Sequence, residues 1–201
     1  MRTRPGTLDD WIVYEQRYYD PLGIRPGDRV LDLGGHIGAF AARAAARGAQ
    51  VISFEPDPEN YPLLVENTRA LDVRAIRAAV VASQMDTVTL YRLAGENTGK
   101  HSLHIKRGRE PIEVPAMPWP VVVDLGPFDV AKCDIEGAEY HLPIWELGVR
   151  ALAVELHLHP RGWREAAMAL TTRIEGEGYR PVRAPLIGEQ NWHTLGIWQL
   201  P

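Results

Sequence analysis

Cysteine is almost missing from this chain: Cys133 is the single one in 201 residues. A lone thiol closes no internal disulfide and builds no cysteine metal cluster, which points to a reducing cytoplasm. Long apolar runs are also missing. Stretches such as Val121–Val123 and Ala151–Val154 fall far short of the roughly 20 residues that span a bilayer. No apolar core follows the opening Met1-Arg-Thr-Arg-Pro-Gly, so no secretory signal is expected. Basic excess is the third absence. Net charge is −4 and the pI about 6.0, opposite in sign to the footprint of a duplex-binding protein, so nucleic acid is not an expected partner. There is no internal repeat, low-complexity tract or splitting linker. With 45% hydrophobic and 24% charged residues, the expectation is one soluble domain over 1–201.

One stretch departs from the acidic balance. Lys100 to Arg109 carries Lys100, Lys106, Arg107 and Arg109 and no acid. Exposed charge runs are usually solvated loops; the sharper reading is a patch for an anionic ligand.

Elsewhere short apolar runs alternate with helical patterns. Arg29–Leu33 reads as a strand, followed by a glycine turn and an Ala-rich helix, Ala39–Arg47. Gln50–Phe54 is a second strand, after which Asp57 can cap a helix and Pro58 can sit in its first turn. Tyr61, Leu64, Val65 and Thr68 supply that helix's buried stripe. Val73–Val81 reads as a third strand, and 87–120, rich in Gly, Pro and β-branched residues, as a hairpin insertion with mobile loops. Strands return at Phe128–Ile135 and Ala151–Leu158, with Tyr140–Leu147 helical between them and a helix over Trp163–Ile174 after them. Tyr179–Ala184 and Thr194–Leu200 close the chain as two strands. This alternation predicts an α/β fold with a mostly parallel sheet and helices on both faces. Residues 1–28 read as a helical cap. Thr7-Leu8-Asp9-Asp10 resembles a capping box, and Trp11, Tyr14 and Tyr18 share a helical face. Such a face more often packs than functions; a lid over a bound cofactor is the other reading.

The turn Val30-Leu31-Asp32-Leu33-Gly34-Gly35-His36-Ile37-Gly38 carries the chemistry. Gly34 stands where a strand must turn into a helix, and Gly38 where that helix must pack against the strand. A ligand can approach such backbone closely, and the helix start offers free N–H groups. Asp32 can accept hydrogen bonds from an amino group or from loop amides. A nicotinamide-binding G-x-G-x-x-G would need glycine at position 36, where His36 stands. Glu55, about twenty residues on and followed by Pro56, ends the second strand where an acid grips ribose hydroxyls; the alternative is a solvated strand-end acid. The small residues Ala78 and Ala79 would leave room for an adenine ring.

Three stretches, Val30–Phe40, Ile52–Asn67 and Phe128–Glu139, with the strand-end Glu-x-His of Ala153–His157, resemble the FkbM family of class I S-adenosylmethionine-dependent methyltransferases. The resemblance covers about residues 28 to 158. It implies a Rossmann-like fold with a seven-stranded, mostly parallel sheet and a C-terminal antiparallel hairpin. It also implies S-adenosylmethionine as cofactor and O-methylation of small or glycosylated acceptors. Asp32, Gly34, Gly35, Gly38, Glu55, Pro56, Ala79 and Asp134 are the cofactor-binding residues it points to. The chain departs from the family at Gly35-His36, at the Pro/Val-rich 115–125 and in its short length.

Ligands of open α/β sheets bind at the carboxyl ends of the strands. Asp134 ends the fourth strand there, with Glu136 and Glu139 beyond it; Glu155 and His157 end the fifth. Asp134, Glu155 and His157 are the candidate catalytic residues, His157 as base. Asp134 and Glu155 with waters would suit Mg²⁺; alternatively Asp134 and Glu139 orient loops or meet the cofactor's amino group. His157 and His159 lack a clear third metal ligand, and Lys132 and Cys133 read as packing residues. The expected partner is a small hydroxylated acceptor held around Gly95–Arg109, whose basic side chains suit an anionic one. Two other readings stay open. N-methylation of a nucleobase is disfavoured because Asp134-Ile-Glu-Gly replaces a [D/N/S]-P-P-[Y/F] loop. The other is a non-catalytic, cofactor-binding partner subunit.

Overall fold

The computed structural model describes residues 1–159, 162–188 and 190–201. In chain order the first elements are α1 (Asp9–Glu15), β1 (Arg29–Leu33), α2 (Ala39–Ala45), β2 (Gln50–Phe54), α3 (Asn60–Thr68), β3 (Val73–Ile76) and β4 (Ala79–Val81). There follow β5 (Thr87–Arg92), β6 (Glu110–Pro118), α4 (Trp119–Asp124), β7 (Val130–Cys133), β8 (Ala151–His157), α5 (Trp163–Gly176), β9 (Arg180–Arg183) and β10 (His193–Gln199).

Seven strands form one sheet in the order β3-β2-β1-β7-β8-β10-β9. The first five are parallel, with Leu31 opposite both Ile52 and Ala131; β10 runs antiparallel between β8 and β9. Side chains alternate across a strand, and the core divides accordingly. Val30, Val51, Val130, Ala151 and Ala153 pack with Phe40, Ala41 and Ala44 of α2, Leu64 of α3, and Tyr19 and Leu22. Leu31, Leu33, Ala131, Cys133, Leu152 and Val154 pack with Ala167, Leu170 and Ile174 of α5 and Val122 of α4. The sheet is covered on both faces, as its near-continuous apolar strands require.

Several local expectations are corrected. The run 73–81 is two strands, not one. β3 stays in the main sheet, whereas β4 leaves it to pair in parallel with β6, which pairs antiparallel with β5. The central insertion is therefore anchored by a three-stranded sheet. Residues 140–147 do not form one helix: two 3₁₀ turns, Ala138–His141 and Ile144–Leu147, flank Pro143, which has no N–H to continue a helix. At the start, Thr7 makes no capping box. Its hydroxyl donates to the Arg4 carbonyl and accepts from the Asp9 N–H. Asp57 does act as expected, accepting the N–H groups of Glu59 and Asn60 at 2.8 and 3.0 Å. Among the described residues no helix is long and apolar enough to cross a membrane.

Candidate active site

At the carboxyl end of β1 the chain turns through Gly34 and Gly35, whose N–H groups both donate to the Phe54 carbonyl. Gly34 has φ 85°, and a Cβ there would lie 1.9 Å from the Asp134 carbonyl oxygen. A Cβ on Gly35 would lie 2.2 Å from Ser53 Oγ. Only glycine lets the turn sit this close to β2 and β7. Two predicted cofactor residues are displaced from direct contact. Gly38 does not line the cavity; its missing Cβ makes room for Leu64 and Thr68 of α3. Asp32 is fully buried beneath the turn and accepts from Ser53 Oγ at 2.7 Å and Lys132 Nζ at 3.1 Å, not from loop amides.

Above this turn opens a cavity of about 1140 Å³. This is slightly above the roughly 300–1,000 Å³ of pockets that hold one drug-sized ligand. Gly34, Gly35, Glu55, Pro56 and Ala79 all line it. Glu55 Oε2 accepts the His36 N–H at 2.7 Å and Oε1 the Asp57 N–H at 2.8 Å. Burial pushes the Glu55 carboxyl up to about 8, against those two amides. Two further polar atoms of the lining residues, His36 Nδ1 and Asn60 Oδ1, are buried without a hydrogen-bond partner. The acid, the two unpaired polar atoms and the small wall residues Ala78 and Ala79 fit a nucleoside-bearing cofactor.

Asp134, Glu155 and His157 are brought together on the cavity floor. The Tyr19 hydroxyl lies 3.4 Å from Asp134 Oδ2 and 3.3 Å from Glu155 Oε2. Burial and the charge of Glu155 push Asp134 up to about 7, against Lys132 and His157. Burial would raise Glu155 as well, but the hydrogen bond from His193 and the charge of His157 hold it down at about 2. His157 is not placed as a free base. Its Nδ1 is 3.0 Å from Glu139 and its Nε2 3.3 Å from Glu136. Burial opposes the cation, yet these two carboxylates raise the imidazole well above its usual range. Among the described residues, three side chains offer converging atoms that could hold a metal ion, and Glu155 is not one of them. Glu155 is engaged by Tyr19 and His193, and the converging set is Asp134, Glu136 and His157, within 4.8 Å of one another.

Lys132, read as packing, has a larger role. Its buried ammonium donates to Asp32 and to the Leu33 and Gly34 carbonyls, and stands 3.8 Å from Asp134. A lysine between Ala131 and Cys133 in a buried strand was the available signal, because an unpaired buried charge is too costly to persist. Tyr19 and His193 gave no comparable signal, since each reaches the site from a distant segment.

Two walls close over the floor. Trp11, Tyr14 and Tyr18 are exposed rather than packed into the core, and Trp11 and Tyr18 line the cavity. Asp9 of α1 binds Arg4 and accepts from Thr98 Oγ1 at 2.9 Å, while the Leu8 N–H donates to the Glu96 carbonyl. The N-terminal arm is thus joined to the central insertion. Of the basic run, Lys100, Arg107 and Arg109 line the cavity; Lys106 does not, and its Nζ lies 5.6 Å from the centre of the Tyr91 ring.

Similar proteins agree with this architecture. A putative rRNA methylase of Clostridium thermocellum superposes with a TM-score of 0.56 at 12% identity, covering 99% of both chains. Precorrin-6y C5,15-methyltransferase of Geobacter metallireducens gives 0.56 at 10% identity over 100% of this chain and 94% of that one. Fibrillarin of Aeropyrum pernix, solved with natively bound S-adenosyl-L-methionine, gives 0.53 at 12% identity, covering 87% and 67%. In sequence, 54 residues are 39% identical to ribosomal RNA small subunit methyltransferase A of Deinococcus radiodurans, 27% of this chain and 18% of that protein. The Methyltransferase FkbM domain matches residues 32–180. The chain belongs to the FkbM family of S-adenosylmethionine-dependent methyltransferases.

Proposed function

We propose that the protein methylates a hydroxyl of a small acceptor that carries an anionic group, with Asp134 as general base. The supporting observation is Asp134 itself: a carboxyl at the cavity floor, lifted to about 7 beside an anionic Glu155. A base with a pKa near the working pH is the one best suited to take a proton in the transition state. Gly34, Gly35, Glu55, Pro56 and Ala79 would hold S-adenosylmethionine, which when bound supplies an electrophilic methyl group. Asp134 accepts the hydroxyl proton of the acceptor. Lys132 balances the charge of Asp32 below it, and His157, clamped by Glu136 and Glu139, keeps the floor rigid. The N-terminal arm and the insertion shed water and orient the acceptor, and positioning of this kind can supply up to roughly 7–11 kcal/mol. Lys100, Arg107 and Arg109 offer charge to an acceptor phosphate or carboxylate.

Mass spectrometry with a methyl-labelled donor and a panel of hydroxylated compounds and nucleosides tests the reading. Label on oxygen is the expected result; label on a nucleobase nitrogen would replace the reading with N-methylation. Turnover should rise with pH through about 7 as Asp134 ionises. Asp134→Asn should lose roughly 10²- to 10⁴-fold in kcat while still binding S-adenosylhomocysteine. A pH profile flat from 6 to 8 would remove Asp134 as the base.

A further inference from the structure

His157 is held in place by a carboxylate behind it. Its Nδ1 lies 3.0 Å from Glu139 Oε1, and the same oxygen accepts the His157 N–H at 3.0 Å. Glu139 Oε2 accepts the Gly137 N–H at 2.7 Å. Two backbone amides therefore fix this fully buried carboxylate independently of the imidazole. Both its oxygens face N–H donors, so the ring presents a proton at Nδ1 and leaves Nε2 for the opposite side.

Two further carboxylates meet Nε2. Glu136 Oε2 is 3.3 Å from it, and an oxygen of Asp134 completes a set whose three atoms lie within 4.8 Å of one another. Donor atoms about 2.0–2.2 Å from one ion stand roughly 3–4 Å from each other, so His157 and Glu136 are already at chelating distance. The Asp134 side chain is partly exposed and has room to rotate inward. The central insertion holds the backbone of Glu136, because Ser102 Oγ donates to its carbonyl at 2.6 Å. Charge favours a cation as well. Glu139 borders the set, and Glu155 shares the Tyr19 hydroxyl with Asp134, whereas Lys132 donates to Asp32 and two carbonyls.

We propose that Asp134, Glu136 and His157 bind one divalent transition-metal ion, with Glu139 as the carboxylate that orients the histidine. One nitrogen and two oxygens suit Zn²⁺ or Mn²⁺, whereas Mg²⁺ and Ca²⁺ take oxygen ligands. Three protein ligands leave coordination positions open, and all three residues line the cavity. The ion displaces the proton between Nε2 and Glu136. The inference does not depend on the methyl-transfer reading. Where both hold, the ion and the acceptor's proton compete for Asp134, and the loaded floor has no free base.

Calorimetry and histidine ¹⁵N NMR on the metal-free, full-length protein test the proposal without cofactor or acceptor. Zn²⁺ should bind far more tightly than Mg²⁺, and it should move the His157 Nε2 resonance while Nδ1 keeps its proton. Glu139→Gln should weaken Zn²⁺ roughly 10- to 100-fold, the range for an outer partner of a metal-bound histidine. Glu136→Gln, at a ligand nearer the surface, should weaken it at least as much, and Glu155→Gln should weaken it less. Unchanged Zn²⁺ affinity in folded Glu136→Gln would overturn the proposal, as would equal affinity for Mg²⁺. So would Zn²⁺ shifts confined to His104 and His141, whose rings lie 4.4 Å apart at the surface.

Discussion

At the scale of single residues, charge at this site is governed by neighbours that lie far away in sequence. Lys132 lies 100 residues from Asp32, and Tyr19 lies 115 from Asp134 and 136 from Glu155. Sequence spacing could find Glu55, because the interval from a glycine turn to a strand-end acid is short and local. It could not rank Asp134, Glu155 and His157, since their protonation depends on Tyr19, His193, Glu136 and Glu139. The test of Glu55 is correspondingly direct. Glu55→Ala should weaken S-adenosylhomocysteine binding by about 1–3 kcal/mol, two hydrogen bonds to a carboxyl that burial keeps largely neutral at about 0.5–1.5 kcal/mol each. Unchanged affinity in a folded variant would remove Glu55 from the cofactor site.

At the scale of elements, most strands and helices were legible because their apolar periodicity is strong. The misreadings have local causes. The run 73–81 is apolar enough for one strand, but β4 pairs with β6, more than thirty residues later, and periodicity carries no pairing information. The aromatic face of α1 looked like a packing stripe, yet Trp11 and Tyr14 stack on each other at 5.4 Å and stay exposed. The basic run divides in the same way, because Lys106 faces Tyr91 while Lys100 and Arg107 face the cavity. Charge reversal at Lys100 and Arg107 should therefore raise the acceptor KM about tenfold or more if an anion pairs with them, each charged hydrogen bond being worth about 1.5–3 kcal/mol. Cofactor affinity should be unaffected. The same reversal at Lys106 should leave KM alone, and steady-state kinetics on the three variants separates the two faces.

At the scale of the whole molecule, a buried carboxylate helps to hold the N-terminal arm in place. Asp9 has no exposed surface; burial opposes its charge, but Arg4 and Thr98 prevail and its pKa falls from 3.8 to about 2. A depressed carboxyl stabilises the fold above its unfolded pKa and stops doing so as pH falls through the folded one. The shift corresponds to roughly 2 kcal/mol. Denaturant unfolding of wild type and Asp9→Asn should differ by about that amount at pH 6, and the gap should close between pH 4 and 2. A gap that does not change with pH would mean that Asp9 contributes through packing rather than charge.

The sequence by itself determined the strand–helix alternation, the glycine turn, the strand-end acid and the family, because each is written in short-range spacing. Tertiary structure alone decided which of those residues face a ligand. Asp32 and Gly38 belong to the motif yet lie behind it, one neutralising Lys132 and the other admitting Leu64. Tyr19 and Thr98 belong to no short motif, and Asn60 and Lys132 lie inside motif stretches without standing out there, yet all four border or hold the site. The physical reason is that a hydrogen bond or a buried charge depends on distance in space. The parallel sheet gathers its strand ends from residues a hundred positions apart.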